Sequence, residues 1–285
     1  MVGRWSIPVL TATLAFGSVL AISSVAQAAP VHASHVTRVR PGSASPQAFR
    51  PGGVMKWAGR HGPIRNGRDT TVESTNWSGY AATGSNGAFN SVSATWTEPT
   101  ATCTSSGGGR HGRGGSDSYA AFWVGLDGYS SDSVEQTGTD SDCDGTTPDY
   151  YGWYEMYPAD PVYYTNTVKP GDTISASVTF SGTETYTLVL TDETQGWTQT
   201  QTINETGLDR SSAEVITEAP SSESGVLPLA DFGTVTYGSS DANGTSLGSQ
   251  SPTEIVMIDN SGADKDSTSA INSSGGFSNT WIRSS

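Results

Sequence analysis

The sequence predicts an all-β chain, an antiparallel β-sandwich of two sheets in the jelly-roll or concanavalin-like manner. Three observations lead there. Short alternating segments rich in Val, Thr, Ile and Tyr recur throughout the chain after residue 70, and residues two apart in such a segment share one face. Gly, Ser, Asp and Pro bound each segment, as turns between strands require. No stretch sustains a 3.6-residue apolar repeat, so amphipathic helices do not compete. Many short strands separated by frequent turns fit a sandwich.

Taken in order, residues 1–28 read as a secretory signal peptide: Arg4, an apolar run through Leu20 and Ile22, then the small-residue site Ala26-Gln27-Ala28. Ser and Gly interrupt the run and no basic stop-transfer cluster follows, which argues against a membrane anchor and for an extracellular product. Residues 29–70 hold seven basic residues (Arg38, Arg40, Arg50, Lys56, Arg60, Arg65, Arg68) against Asp69 alone, a net charge of +6. From Thr71 onward there are 27 acidic and six basic residues, a net charge of −21. A basic stretch abutting an acidic domain reads as a pro-segment held by opposite charge, an intramolecular inhibitor, with a disordered basic arm as the alternative.

Residues 71–285 are then the mature portion, long enough for one domain with its own core and expected to work as a monomer. Its acidity argues against nucleic acid, whose phosphates it would repel. Strands are expected at 91–96, 173–180, 185–192, 197–204, 230–238 and 253–259. The glycine-rich stretch 107–115 is a loop by composition, and the Ser/Gly-rich tail after about 260 offers only a last edge strand at 280–283. Cys103 and Cys143 are the only cysteines; in a secreted chain they are expected to form one disulfide, with a free pair as the alternative.

Histidine excludes much by its absence. His32, His35 and His61 precede the expected processing point, which leaves His111 in the glycine-rich loop. A Ser-His-Asp or Cys-His arrangement needs an imidazole fixed by neighbours, and a zinc site needs more nitrogen or sulfur ligands than remain. Carboxylates and amides are what is left. Strand parity gathers Tyr151, Trp153, Glu155 and Tyr157 on one face, Trp123, Gly125 and Asp127 on another, and Glu214, Ile216 and Glu218 on a third. Neighbouring strands of that kind would make a polar, aromatic groove, with Trp77 and Trp96 left to the core.

The segments TVESTNWSGYA (71–81), FWVGLDG (122–128), EQTG (135–138), WYEMYP (153–158) and AEVITE (213–218) resemble, in order and spacing, the successive motifs of the glutamic peptidase (eqolisin) family. The resemblance covers most of residues 71–238. It implies a secreted acid endopeptidase with a two-sheet sandwich, made as a proenzyme whose mature chain starts near Thr71, acting on protein or peptide substrates without a cofactor or metal. By the same resemblance Gln136 and Glu218 form the catalytic pair, and Trp123, Asp127, Trp153 and Glu155 line the groove or support them.

The chemistry is coherent on its own terms. A carboxylate can take a proton from water as it attacks a peptide carbonyl and return one to the leaving amine, and an amide can donate to the oxyanion. Gln136 and Glu218 must then share a face and be reachable by solvent. The sequence departs from the family at Tyr151, where an aspartate is common, and at Met156, which replaces an aromatic residue. Two other readings compete: a secreted glycoside hydrolase using Glu155 and Glu218, and a non-catalytic carbohydrate-binding sandwich. Asp140, Asp142 and Asp144 before Gly145 copy the start of a calcium loop, but Tyr151 stands where the bidentate Glu belongs, so a solvated acidic loop is expected there.

Overall fold

A computed structural model describes residues 53–56, 58, 64–66, 69–104 and 116–285. The signal-peptide reading of residues 1–28 and the glycine-rich loop at 107–115 lie outside them. In chain order the strands are β1 (Ile64–Asn66), β2 (Asp69–Ser74), β3 (Trp77–Thr83), β4 (Ser91–Thr97), β5 (Ala121–Leu126), β6 (Val134–Asp144) and β7 (Thr147–Tyr157). There follow β8 (Val162–Tyr163), β9 (Thr173–Phe180), β10 (Thr185–Asp192), β11 (Trp197–Asn204), β12 (Ser212–Glu218), β13 (Ser221–Ser222) and β14 (Gly225–Val226). The last are β15 (Thr234–Ala242), β16 (Thr245–Ser246), β17 (Thr253–Met257), β18 (Asp266–Thr268) and β19 (Phe277–Trp281).

Two large sheets result. One runs β1-β2-β17-β3-β12-β5-β6-β7-β8, the other β11-β10-β9-β4-β15-β19-β18, with β16 on β15. Pairing is antiparallel except between β17 and β2, which run parallel. The cause of the two-layer arrangement is legible in β4, where Val92, Ala94 and Trp96 are buried and the residues between them are less so. That alternation turns one face of the second sheet inward. The inward faces meet in one core: Phe122, Val124 and Leu126 of β5 and Val215 of β12 pack with Trp96, Ile174, Val178, Leu188, Leu190 and Tyr237 of the other sheet.

Asp140–Asp144 is not a loop. It is the second half of β6, paired with Thr147–Tyr151 of β7, and Asp140 and Asp142 are buried rather than solvated. Their oxygens accept bonds: Tyr151 Oη lies 2.9 Å from Asp140 Oδ2 and 2.6 Å from Asp142 Oδ2, and the Ala120 N–H lies 3.1 Å from Asp142 Oδ1. Donors from the paired strand replace water, so the acidic run is built in. Among the described residues no group of three or more His, Cys, Asp or Glu is arranged to hold a metal ion.

The tail also departs from expectation. Rather than ending at an edge, β19 lies between β15 and β18, and its Asn279 is buried. Asn279 Nδ2 donates to Thr217 Oγ1 at 2.9 Å and to Ser78 Oγ at 3.1 Å, tying the second sheet to the floor of the first. Serine and asparagine here satisfy buried partners, which composition alone disguises as a loop.

Cys103 and Cys143 form the expected disulfide, joining the loop after β4 to β6 across 40 residues of sequence. Closing a loop of that size stabilises a fold by about 4 kcal/mol in the chain-entropy view. Cys103→Ser is expected to lower the urea midpoint by a corresponding amount, and urea unfolding with and without reductant checks it: reductant should shift wild type and leave the variant unchanged.

Candidate active site

The ladder of the first sheet sets three rows of side chains on its outer face. Glu218 pairs with Ala121, Ile216 with Trp123 and Glu214 with Gly125. Across the next ladder Ala121 meets Asp140, Trp123 meets Gly138 and Gly125 meets Gln136. Asp140, Gly138 and Gln136 then face Tyr151, Trp153 and Glu155. Directly paired residues share a face, so Gln136, Glu155, Glu218, Trp123 and Trp153 all stand on one side of one sheet. Gln136 and Glu218 are two strands and four residues apart in this register, with the Trp123 row between them.

Glycine makes room for that row. A Cβ on Gly138 would lie 2.1 Å from the Phe122 carbonyl oxygen and 2.6 Å from Trp123 Cβ, and one on Gly125 would lie 2.8 Å from the Trp123 ring. Only Gly at both positions lets the indole lie down against β6. Trp77 meets it edge-on, ring centroids 4.8 Å apart. Trp77 therefore belongs to the groove cluster with Trp123 and Trp153, not to the main core where the sequence places it; Trp96 does sit in that core.

Four hydrogen bonds tie these side chains together. Trp123 Nε1 donates to Glu218 Oε2 at 3.0 Å, and Asn76 Nδ2 donates to Glu218 Oε1 at 3.3 Å. Gln136 Nε2 donates to Glu155 Oε2 at 2.7 Å, and Trp153 Nε1 to Asp140 Oδ1 at 2.5 Å. Burial pushes the Glu218 carboxyl up to about 8, against the opposing pull of the Trp123 and Asn76 bonds and the Lys56 charge. Glu214, on the same face, is pushed well above the ordinary carboxylate range by burial.

Asp127 does not face the groove. It follows β5 with φ at 71° and accepts from the backbone N–H groups of Arg210 at 2.6 Å and Ser211 at 2.8 Å. Its carboxylate fixes the entry to β12, and so the strand that carries Glu218, rather than lining the groove beside Trp123. Asn76 and Asp140 were not legible as groove residues. Asn76 sits in the turn before β3, where an Asn reads as turn chemistry, and Asp140 sits in a run that reads as an acidic loop.

Gln136 and Glu218 are both fully buried, which a groove open to substrate would not allow. Residues 53–56, from within the basic stretch, pack on the Glu218 side of this face. Met55 is buried in the same cluster as Trp77, Trp123 and Trp153. The Val54 carbonyl accepts from Asn76 Nδ2 at 3.3 Å, the Lys56 N–H donates to Asn76 Oδ1 at 2.7 Å, and Lys56 Nζ donates to Ser221 Oγ at 2.7 Å. Part of the basic stretch thus lies beside Asn76 and Glu218.

Residues 75–281 match the Peptidase A4 family. Aspergillopepsin-2 of Aspergillus niger is 30% identical over 209 residues, 68% of this chain and 73% of that protein. Scytalidopepsin B of Scytalidium lignicola is 32% identical over 208 residues, covering 67% and 74%. Among solved structures, scytalido-glutamic peptidase with a transition state analog inhibitor superposes with a TM-score of 0.60 at 28% identity, covering 73% of this chain and 98% of that one. An eqolisin in complex with the tripeptide Ala-Ile-His gives 0.56 at 27% identity, with the same coverage. With the sandwich, the groove and these relatives in agreement, the chain belongs to the Peptidase A4 family, the eqolisins or glutamic peptidases, enzymes that hydrolyse peptide bonds.

Proposed function

We propose that the chain is a secreted acid endopeptidase, made as an inactive precursor, in which Glu218 and Gln136 carry the reaction. The observation behind this is the setting of Glu218: a carboxyl on an aromatic floor, held by two donors, on the same sheet face as the Gln136 amide. Once ionised, Glu218 takes a proton from water as its oxygen attacks the peptide carbonyl, and gives one to the departing amine. Gln136 supplies an N–H to the developing oxyanion while its oxygen orients the water. Glu155 holds the Gln136 amide in place, and Trp123 orients Glu218.

Residues 29–70 act in this reading as an inhibitor in two ways. Residues 53–56 lie against this face, with Met55 in the aromatic cluster, and burial holds the Glu218 carboxyl up at about 8, so in the covered state it stays protonated and is a poor base. The bonds they make are to neutral groups, Asn76, Ser221 and the Gly128 carbonyl. The electrostatic share of the latch comes from the Lys56 charge beside Glu218 and from the rest of the +6 stretch against the −21 domain, and acid weakens it by protonating carboxylates. The 70/71 boundary lies inside β2, next to the short β1 ladder, so processing removes β1 with the rest. Incubation of the full chain at acidic pH should give a new N-terminus near Thr71 with the appearance of activity. Edman or mass-spectrometric sequencing checks it, and a fully active chain of unchanged length would refute the latch.

The glycoside hydrolase alternative gives no role to the Gln136 amide that Glu155 holds, and a pure binding module has no use for a covered groove. Secretion is supported by the disulfide, which oxidising compartments maintain. Among the described residues no helix is long and apolar enough to cross a membrane.

A further inference from the structure

We propose that residues 53–56 trace the path a peptide substrate takes through the groove, clamped between Asn76 and Gly128, with an apolar side chain at the position of Met55 and a long basic one at the position of Lys56. This rests on the peptidase reading of the site and names its substrate class: extended peptides carrying an apolar-basic pair.

The Val54–Met55 peptide unit is gripped on both polar edges. Its N–H donates to the Gly128 carbonyl at 3.0 Å, and its carbonyl accepts from Asn76 Nδ2 at 3.3 Å. The same Asn76 nitrogen donates to Glu218 Oε1 at 3.3 Å, so one side-chain amide joins the bound carbonyl to the candidate catalytic carboxyl. An arm that merely packed on the surface would need no such bridge.

Beyond the clamp the chain adds to the sheet. The Thr75 N–H donates to the Lys56 carbonyl at 2.9 Å and the Ala58 N–H to the Glu73 carbonyl at 3.2 Å, an antiparallel step on the end of β2. Main-chain bonds of this kind accept any extended peptide, and side-chain pockets then select among them. The surroundings of Met55 are apolar: it is buried in one cluster with Trp77, Trp123 and Ile216, among others, and is 5% exposed. The next side chain leaves the pocket and reaches Ser221 with its amine. A carboxylate in the Met55 pocket would be desolvated without a partner.

The test uses the full-length chain with Met55→Asp, checked for strand content by circular dichroism, and with Lys56→Ala as a milder second variant. The probe is a synthetic peptide of residues 53–58, followed by calorimetry. In wild type the tethered segment holds the groove at high effective concentration, so the probe binds weakly. In Met55→Asp it should bind at least tenfold more tightly, and in Lys56→Ala it should move in the same direction. A probe carrying Asp at the Met55 position should lose at least tenfold. Equal binding of both probes, or no gain in either folded variant, overturns the path. A Met55→Asp chain that binds the probe but cleaves no denatured protein leaves the path standing and defeats the roles of Gln136 and Glu218. One that cleaves protein yet ignores the probe does the reverse.

Discussion

Glu218→Gln, in the chain processed by acid, is expected to lower turnover of a denatured protein by about a thousandfold or more, with little change in fold. General acid-base catalysis by a placed carboxyl contributes about a hundred- to ten-thousandfold. The substitution removes both halves of that work, the proton taken from water and the proton given to the amine. It keeps the shape, and its amide oxygen can still accept from Trp123 Nε1, which holds the native Oε2 at 3.0 Å, whereas the bond from Asn76 Nδ2 to Oε1 at 3.3 Å is lost because an NH2 group then stands there. Gln136→Ala should cost about a hundred- to a thousandfold, the usual loss when one oxyanion donor is removed. Its effect should fall on kcat rather than KM, because the amide acts on charge that exists only as the carbonyl is attacked. The double variant should be no worse than the poorer single one, since the two groups serve one step. Turnover retained at a tenth of wild type in either single variant would remove that residue from the mechanism. Glu155→Gln is the internal control: it keeps a hydrogen-bonding partner for Gln136 Nε2, so it should be milder than either.

Much of this was legible in the sequence because β-strands report their own faces. The period of two in Ser91–Thr97 and Thr173–Phe180 gave both the strands and their buried residues, and those runs appear in the fold with little change of boundary. The row Trp153-Glu155 could be read in the same way. What parity cannot give is which strands become neighbours. The pairing of Gly125 with Gln136 and of Ile216 with Trp123 is a long-range fact, as is the insertion of β19 beside β15. Composition misled where polar residues are used inside. Asp140 and Asp142 read as solvent-facing, yet Tyr151, Trp153 and Ala120 supply their donors from elsewhere in the sheet. Asn76 was invisible for a related reason: its importance comes from a carboxyl 142 residues away, not from its neighbours in sequence. The basic stretch was legible as a charge imbalance, but nothing in its composition said that Met55 would enter the groove.

Stability is expected to be greatest in acid and to fall as pH rises toward neutrality, opposite to the usual behaviour of paired surface carboxylates. Burial raises Glu98 to about 8, Glu135 to about 9, Glu218 to about 8 and Asp266 to about 7, each from an unfolded value near 4. Raised folded values mean that the folded chain holds protons the unfolded chain releases. The stability these groups bring is therefore complete below about pH 4 and is lost progressively between there and their folded values. Each such group steepens the fall of stability with pH by at most about 1.4 kcal/mol per pH unit in that window. Lys265, lowered to about 8 by burial, is charged in both states up to about pH 7 and does not alter the slope between pH 4 and pH 7; nearer its folded value it acts in the opposite direction. Self-repulsion of the −21 domain acts in the same direction. Glu98 isolates one contribution. It lies between the sheets, accepting from Thr139 Oγ1 at 2.5 Å and Ser141 Oγ at 2.7 Å, with Asp172 as a nearby like charge. Glu98→Gln keeps a neutral acceptor of the same size and cannot ionise. Its unfolding free energy, measured in urea at pH 4 and pH 7, should sit at or slightly below wild type at the lower pH and above it at the higher, with a slope shallower by about one proton. Parallel curves for the two proteins would mean that Glu98 is not the buried neutral acid its surroundings make it. A wild type more stable at pH 7 than at pH 4 would show that the buried carboxyls as a group do not govern the fold's response to acid.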